Sequence, residues 1–309
     1  MKTMAIGTGG LSSSRLAYGC WRIVGDGSET ARARGKKAIL AAVEAGYTLF
    51  DHADIYADGH AETLFGEVLR ETPGLRRQIL LASKCGIRKA GDSGPEAPYR
   101  YDFSASHIVR CCEESLRRLG VDTIDLYQLH RPDYLGDPAE VAEAFDKLRQ
   151  SGKAREFGVS NFRPAQLAAL QRACPMPLVV NQVEISLACL TPFDDGTLDQ
   201  CLAEKITPLA WSPLAGGLLG DGAARLLPAQ ETYRPQGIVT ALANIAPRYG
   251  ISPMALALAW LLRHPAGIIP IIGSTRPERI REAVQADAVS LSREDWYRLF
   301  EAARGGRLP

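Results

Sequence analysis

The stretch IDLYQLHRPDYLGDPAEVAEAFDKLRQSGKAREFGVSN, residues 124–161, decides how the whole chain folds. It opens on an apolar run, 124–130, short enough to be a strand buried on both faces. A helix pattern follows. Asp137 stands where a cap belongs, Pro138 at the first helical position and Glu140 at the third. Val141, Ala144, Phe145 and Leu148 recur along one helix face, and Gly152 lies just past the end. A second apolar run, 154–161, completes a strand–helix–strand unit. Strands joined this way lie parallel with a right-handed crossover.

Similar runs extend in both directions: 16–21, 48–51 and 79–84 before the quoted stretch, and 178–186, 207–213 and 267–274 after it. Helix patterns separate them. Ser104 or Ser106 opens one whose apolar face holds Ile108, Val109, Cys112, Leu116 and Leu119, closed by Gly120. Pro164 opens another around Leu167 and Leu170, Ser252-Pro253 a strongly apolar one through Trp260 to Leu262, and Pro277 one around Ile280 and Val284. Eight strand–helix alternations predict an α/β protein, a closed (β/α)8 TIM barrel forming one domain over residues 1–309. An open doubly wound sheet would show a glycine-rich phosphate turn between its first strand and a helix. Gly7-Thr8-Gly9-Gly10-Leu11-Ser12 lacks the third glycine and leads into another strand, so it reads as an N-terminal β-hairpin capping the barrel floor.

Composition narrows the class further. The chain has 309 residues, 46% of them hydrophobic and 23% charged, a globular balance that excludes disorder and fibres. Thirty-six basic against thirty-five acidic residues leave a net charge of +1, which draws it to neither nucleic acid nor an anionic membrane. The longest apolar stretch, 254–262, falls far short of the roughly 20 residues that span a bilayer. The first residues, MKTMAIGTGGLSSS, lack the apolar core of a secretory signal. Seven scattered cysteines without CxxC pairs indicate a reduced, cytoplasmic chain with no structural zinc. A soluble enzyme acting as a monomer or weak oligomer is expected.

In a barrel, chemistry collects where strands end and the following loops begin. The second run ends at Asp51, and its loop carries His52, Asp54 and Tyr56; the third ends at Lys84, the fourth at His130. Any one of these could be a cap or a satisfied core residue. Lys84, after Ile79-Leu80-Leu81-Ala82-Ser83, needs a counter-charge at the mouth of a packed core, and Asp51 is one strand away. Tyr56 can return over the rim toward the same ammonium. A tyrosine near pKa 10 donates protons poorly at neutral pH, and an adjacent cation is expected to lower that value. The set then reads as a general acid (Tyr56), its activating cation (Lys84), the anion holding the cation (Asp51) and a histidine orienting a carbonyl oxygen (His130).

With these residues in view, the sequence resembles the aldo-keto reductases, nearest to bacterial general NADPH-dependent oxidoreductases of that family. The carriers are Asp51-His52-Ala53-Asp54-Ile55-Tyr56, Ser83-Lys84, Leu129-His130-Arg131-Pro132, Gly158-Val159-Ser160-Asn161-Phe162, Asn181-Gln182-Val183-Glu184 and residues 272–279. The resemblance runs from about residue 15 to 290 in the expected order. It implies NADP(H) as cofactor without a Rossmann domain, and a catalytic tetrad of Asp51, Tyr56, Lys84 and His130. It further implies Ser160, Asn161 and Gln182 on the nicotinamide carboxamide and Trp211 stacked on its ring. Ser212, Leu214 and Gly216 would fold over the pyrophosphate, and Ser274, Arg279 and Glu282 would surround the adenosine and its 2′-phosphate. Family members often carry Lys near residue 273; this chain has Gly273, with Arg276 as a substitute.

Substrate choice is expected to fall to the loops. The segment 86–103 is long and rich in Gly and Pro, as lids tend to be, and Trp21, Arg131 and Tyr134 are candidates for the pocket mouth. Only nine residues follow Phe300, which points to an open pocket and broad acceptance of small carbonyl compounds. Two rival functions remain: a Schiff-base lyase using Lys84, and a regulatory subunit resembling the NADPH-binding potassium-channel β-subunits. A metal hydrolase using Asp51, His52 and Asp54 is disfavoured by only five histidines and no HxH pair.

Overall fold

In a computed structural model, described for residues 1–220 and 226–308, the eight apolar runs form a closed barrel of parallel strands. They are Ala17–Gly19, Leu49–Asp51, Leu80–Cys85, Ile124–Leu129, Ala154–Ser160, Leu178–Glu184, Thr207–Trp211 and Ile269–Ile272. Each pairs with its neighbours in sequence, and the last pairs with the first through Ile271 and Ala17. Every carboxyl end therefore faces one rim. Gly19 registers with Asp51, Lys84 with Gln128, and Gln182 with Ser160.

The helices begin where their punctuation indicates. Asp137 caps Pro138–Gln150 by accepting from the Ala139 N–H at 2.8 Å, and Ser252 caps Pro253–Leu262 from Ala255 at 3.2 Å. Ser104 precedes Ala105–Leu119, but its hydroxyl donates to Asp102 instead of accepting from the helix. The last predicted helix stops at Ala283, and Val284 starts a tighter turn. A helix not anticipated, Gln236–Ile245, lies before Pro253–Leu262, and Arg293–Arg304 closes the sequence of elements.

The glycine-rich start is a hairpin, with Thr3–Ile6 antiparallel to Leu11–Ser14. Ile6 and Leu11 are buried with Leu49, Ala82, Leu126, Val179 and Leu209, so the hairpin plugs the amino-terminal end of the barrel. Gly7 has φ +53°, and a Cβ there would approach Val179 Cβ to 2.6 Å. The glycines thus serve a tight turn pressed on the floor. At the opposite end, the segment after Cys85 folds into a small antiparallel ribbon, Ile87–Arg88 with Arg100–Tyr101. Asp133 ties this ribbon to the next loop by accepting from the Phe103 and Leu135 N–H groups. All seven cysteines are free thiols. Among the described residues no single helix is long and apolar enough to cross a membrane.

Candidate active site

The barrel's hydrogen-bond ladder continues past the strand ends and sets the first residue of each loop. The His52 N–H donates to Ala82 O, Asp54 N–H to Lys84 O, His130 N–H to Cys85 O and Asn161 N–H to Gln182 O. Of these residues, His130 and Asn161 line one opening, while His52 is buried against Phe65. Tyr56 follows in a turn where Ala57 and Asp58 take left-handed φ values of 48° and 55°. Asn161 and Ser212, which line the opening, are also left-handed, with φ values of 63° and 48°. Backbone strain of this sort persists where the surroundings over-determine it, commonly at functional sites.

Lys84 is completely buried, and its ammonium has four oxygen neighbours. It lies 2.8 and 2.9 Å from the two Asp51 oxygens, 2.7 Å from His52 O and 3.2 Å from Tyr56 Oη. Burial works against the charged amine, but Asp51 and Tyr56 outweigh it and hold the Lys84 pKa above its ordinary value. The Tyr56 ring also sits 5.8 Å edge-on from His130 and 6.4 Å from Trp21. Burial pushes the His130 pKa well below its usual range, helped by Lys84 and Arg131, so its imidazole is neutral at any ordinary pH.

One expectation needs correcting. Lys84 does act to lower the Tyr56 pKa, but burial acts more strongly, and the phenol lies above its ordinary value. An enclosed phenolate loses more hydration than one cation at 3.2 Å restores.

A cleft of about 510 Å³ runs from this cluster across the rim. Asp51, Tyr56, His130, Ser160, Asn161, Gln182, Trp211, Ser212, Leu214, Gly216, Ser274 and Arg279 all line it, with Trp21 and Arg131 at the mouth. Lys84 lies just behind its wall. Glu282 and Tyr134 are not among the lining residues; Tyr134 is 82% exposed on the loop beyond Arg131.

The polar wall is interlocked. Trp211 Nε1 donates to Asn161 Oδ1 at 3.0 Å, Asn161 Nδ2 to His130 O at 3.0 Å, and Ser160 Oγ to Gln182 O at 2.8 Å. Gln182 Nε2 donates to Asp51 Oδ1 at 2.9 Å, a role the sequence does not reveal because the two are 131 positions apart. Arg22, Tyr99 and Arg276 also join the lining. For Arg22 the only sequence signal is its place beside Trp21; Tyr99 arrives because the ribbon folds back.

The cleft suits an extended molecule with unlike ends. One end offers an indole face, amide groups and the phenol–lysine–carboxylate cluster; the other offers Ser274, Arg276 and Arg279. Between them Gly216 and Gly217 take φ values of 68° and 110°, so backbone without side chains lines this part of the cleft.

This barrel with its site at the carboxyl rim defines an oxidoreductase of the aldo/keto type, and the comparisons agree. The family model "Aldo/keto reductase family" matches residues 15–304, and the chain belongs to that family, in which NADP dependence is typical. It is 42% identical to a 6-dehydroglucose reductase of Novosphingobium aromaticivorans over 98% of this chain and 96% of that one. Among solved structures, the glycerol dehydrogenase of Gluconobacter oxydans superposes with a TM-score of 0.84 at 29% identity, covering 97% of this chain and 94% of that one. An aldo/keto reductase of Klebsiella pneumoniae, solved in complex with NADP and acetate, gives a TM-score of 0.77 at 28% identity, covering 97% and 94%.

Proposed function

We propose that the protein reduces aldehydes and ketones to alcohols with NADPH in the cytoplasm, and that Tyr56 is the general acid. When bound, the nicotinamide supplies the hydride. Tyr56 keeps its proton at rest because burial raises its pKa. As negative charge grows on a substrate oxygen, that proton moves from Oη, and Lys84 at 3.2 Å stabilises the phenolate left behind. Asp51 and the Gln182 amide keep Lys84 in place. The neutral His130 orients the carbonyl oxygen without adding charge. Ser160 and Asn161 hold the carboxamide, Trp211 stacks on the nicotinamide, and Ser212, Leu214 and Gly216 cover the pyrophosphate. Ser274 and Arg279 take the adenosine end, with Glu282 beside them. Trp21 and Arg131 frame the substrate, and Tyr134 stands farther out.

The observation that carries this reading is the fully buried Lys84 ammonium bridging Asp51 and Tyr56 at the end of a cleft. It also speaks against a Schiff-base lyase, which needs a neutral amine free to attack. Since one relative is named a 6-dehydroglucose reductase, that sugar aldehyde belongs on the first substrate panel. Tyr56→Phe is expected to keep NADPH affinity and lower kcat by about 10²–10⁴-fold across an aldehyde and ketone panel. Near-wild-type turnover in that variant would overturn the assignment.

A further inference from the structure

Among the described residues, more cations than anions line the cleft. Four arginines face it, Arg22, Arg131, Arg276 and Arg279, against one described carboxylate, Asp51, which Lys84 and Gln182 already engage. Arg276 and Arg279 stand at the end assigned above to the cofactor's phosphate. Arg22 and Arg131 stand at the other. Arg22 lies 5.2 Å over the Trp21 ring, which is 6.4 Å from Tyr56, and Arg131 follows His130, which is 5.8 Å from Tyr56. These two arginines thus line the cleft together with the phenol that meets the carbonyl.

Arg131 is the informative one. It is half-buried and makes no hydrogen bond or ion pair with any described residue. The groups facing it are His130 and Tyr99, both neutral, and Glu184. Glu184 is engaged elsewhere, accepting from Gln230 Nε2 at 2.6 Å and from Tyr233. Glu184 is thus a counter-charge near Arg131 but not its hydrogen-bond partner. A guanidinium partly withdrawn from water whose N–H donors meet no described acceptor is costly, and its planar donors match carboxylate or phosphate oxygens.

We propose that the physiological substrate is an anionic carbonyl compound, bearing a carboxylate or phosphate that Arg131 binds while Tyr56 and His130 hold the carbonyl oxygen. This rests on the reductase reading above and adds the substrate's charge to it. Arg131 acts in this scheme on specificity and takes no part in proton transfer.

The test compares matched substrates: 4-formylbenzoate against its methyl ester, and glyceraldehyde 3-phosphate against glyceraldehyde. In the wild type, kcat/KM should favour the anionic member of at least one pair by roughly 10- to 100-fold, mainly through KM, and the preference should shrink with added salt. The pair that responds distinguishes a carboxylate from a phosphate site. Arg131→Gln should collapse the preference, and Arg131→Lys should restore part of it, which a purely structural role would not do. Equal kcat/KM within both pairs, or a preference that survives Arg131→Gln, overturns the proposal. If no aldehyde oxidises NADPH, the reductase reading fails separately. Calorimetry of 4-(hydroxymethyl)benzoate and its methyl ester on the NADP-loaded protein then decides the inference. Tighter binding of the acid, lost in Arg131→Gln, supports it, and equal affinities overturn it.

Discussion

The two ends of the barrel answer opposite demands. The floor is closed by apolar contact: Ile6 and Leu11 are buried against Leu49, Leu126 and Val179, and the turn between them is glycine pressed on Val179. The mouth encloses charge instead, with Lys84, Asp51 and Asp54 beneath the rim. An apolar plug is stable by itself, whereas buried charges depend on their partners. Damage at the floor should therefore lower stability alone, and damage at the mouth should lower stability and catalysis together.

Three substitutions sharpen that contrast, beginning with the largest effect. Lys84→Met leaves the Asp51 carboxylate buried without its cation, so unfolding in denaturant should show a loss of about 3–5 kcal/mol. Reductase turnover should fall with it, because Tyr56 loses the cation at 3.2 Å. Full activity in a destabilised variant would detach this pair from the chemistry.

Asp54 gives the second. Burial and the neighbouring Glu62 raise its pKa to about 7, while its Oδ1 has no hydrogen-bond partner. Because the folded-state value exceeds the unfolded one near 3.9, its contribution favours the fold at low pH. That contribution is lost as pH rises from about 4 to about 7. Asp54→Asn should flatten this part of the stability profile, by up to about 4 kcal/mol across the range. An unchanged profile would place the titration elsewhere. The third is Gly7→Val. Its Cβ would meet Val179 in a left-handed turn, so a loss of about 1–3 kcal/mol in denaturant titration is expected, with kcat of the folded fraction unaltered. A fall in kcat would show that the two ends are coupled.

The barrel was legible because its signal is repetition: eight short apolar runs, several of them followed by a cap or proline such as Asp137-Pro138, leave few alternatives. Gln236–Ile245 also carried a signal, since Ile238, Leu242 and Ile245 recur at helical spacing and are buried. The Asp51–Lys84–Tyr56 grouping was legible too, because a lysine at the end of a buried strand demands an anion nearby. Two things were not. The Gln182–Asp51 hydrogen bond spans the barrel and depends on closure, which no local pattern encodes. The Tyr56 pKa depends on how deeply the ring is enclosed, and sequence spacing reveals the cation but not the depth.

The ring of strands is also uneven. Around the fourth to seventh strands, neighbours such as Ile124–Leu129 with Ala154–Ser160 and Leu178–Glu184 with Thr207–Trp211 register over five residue pairs. From Thr207–Trp211 through Ile269–Ile272 and Ala17–Gly19 to Leu49–Asp51, each neighbouring pair registers over only two. This thinly laddered arc is a seam, and Gly19, Ile271 and Ile272 place it along one wall of the cleft. A molecule lying in the cleft spans the seam from Trp211 to Gly19, so occupancy acts as a clasp on the part of the cylinder that would part first. Ligand affinity and the integrity of the wall are then two views of one equilibrium, and the empty enzyme should exchange its amide protons fastest along this arc.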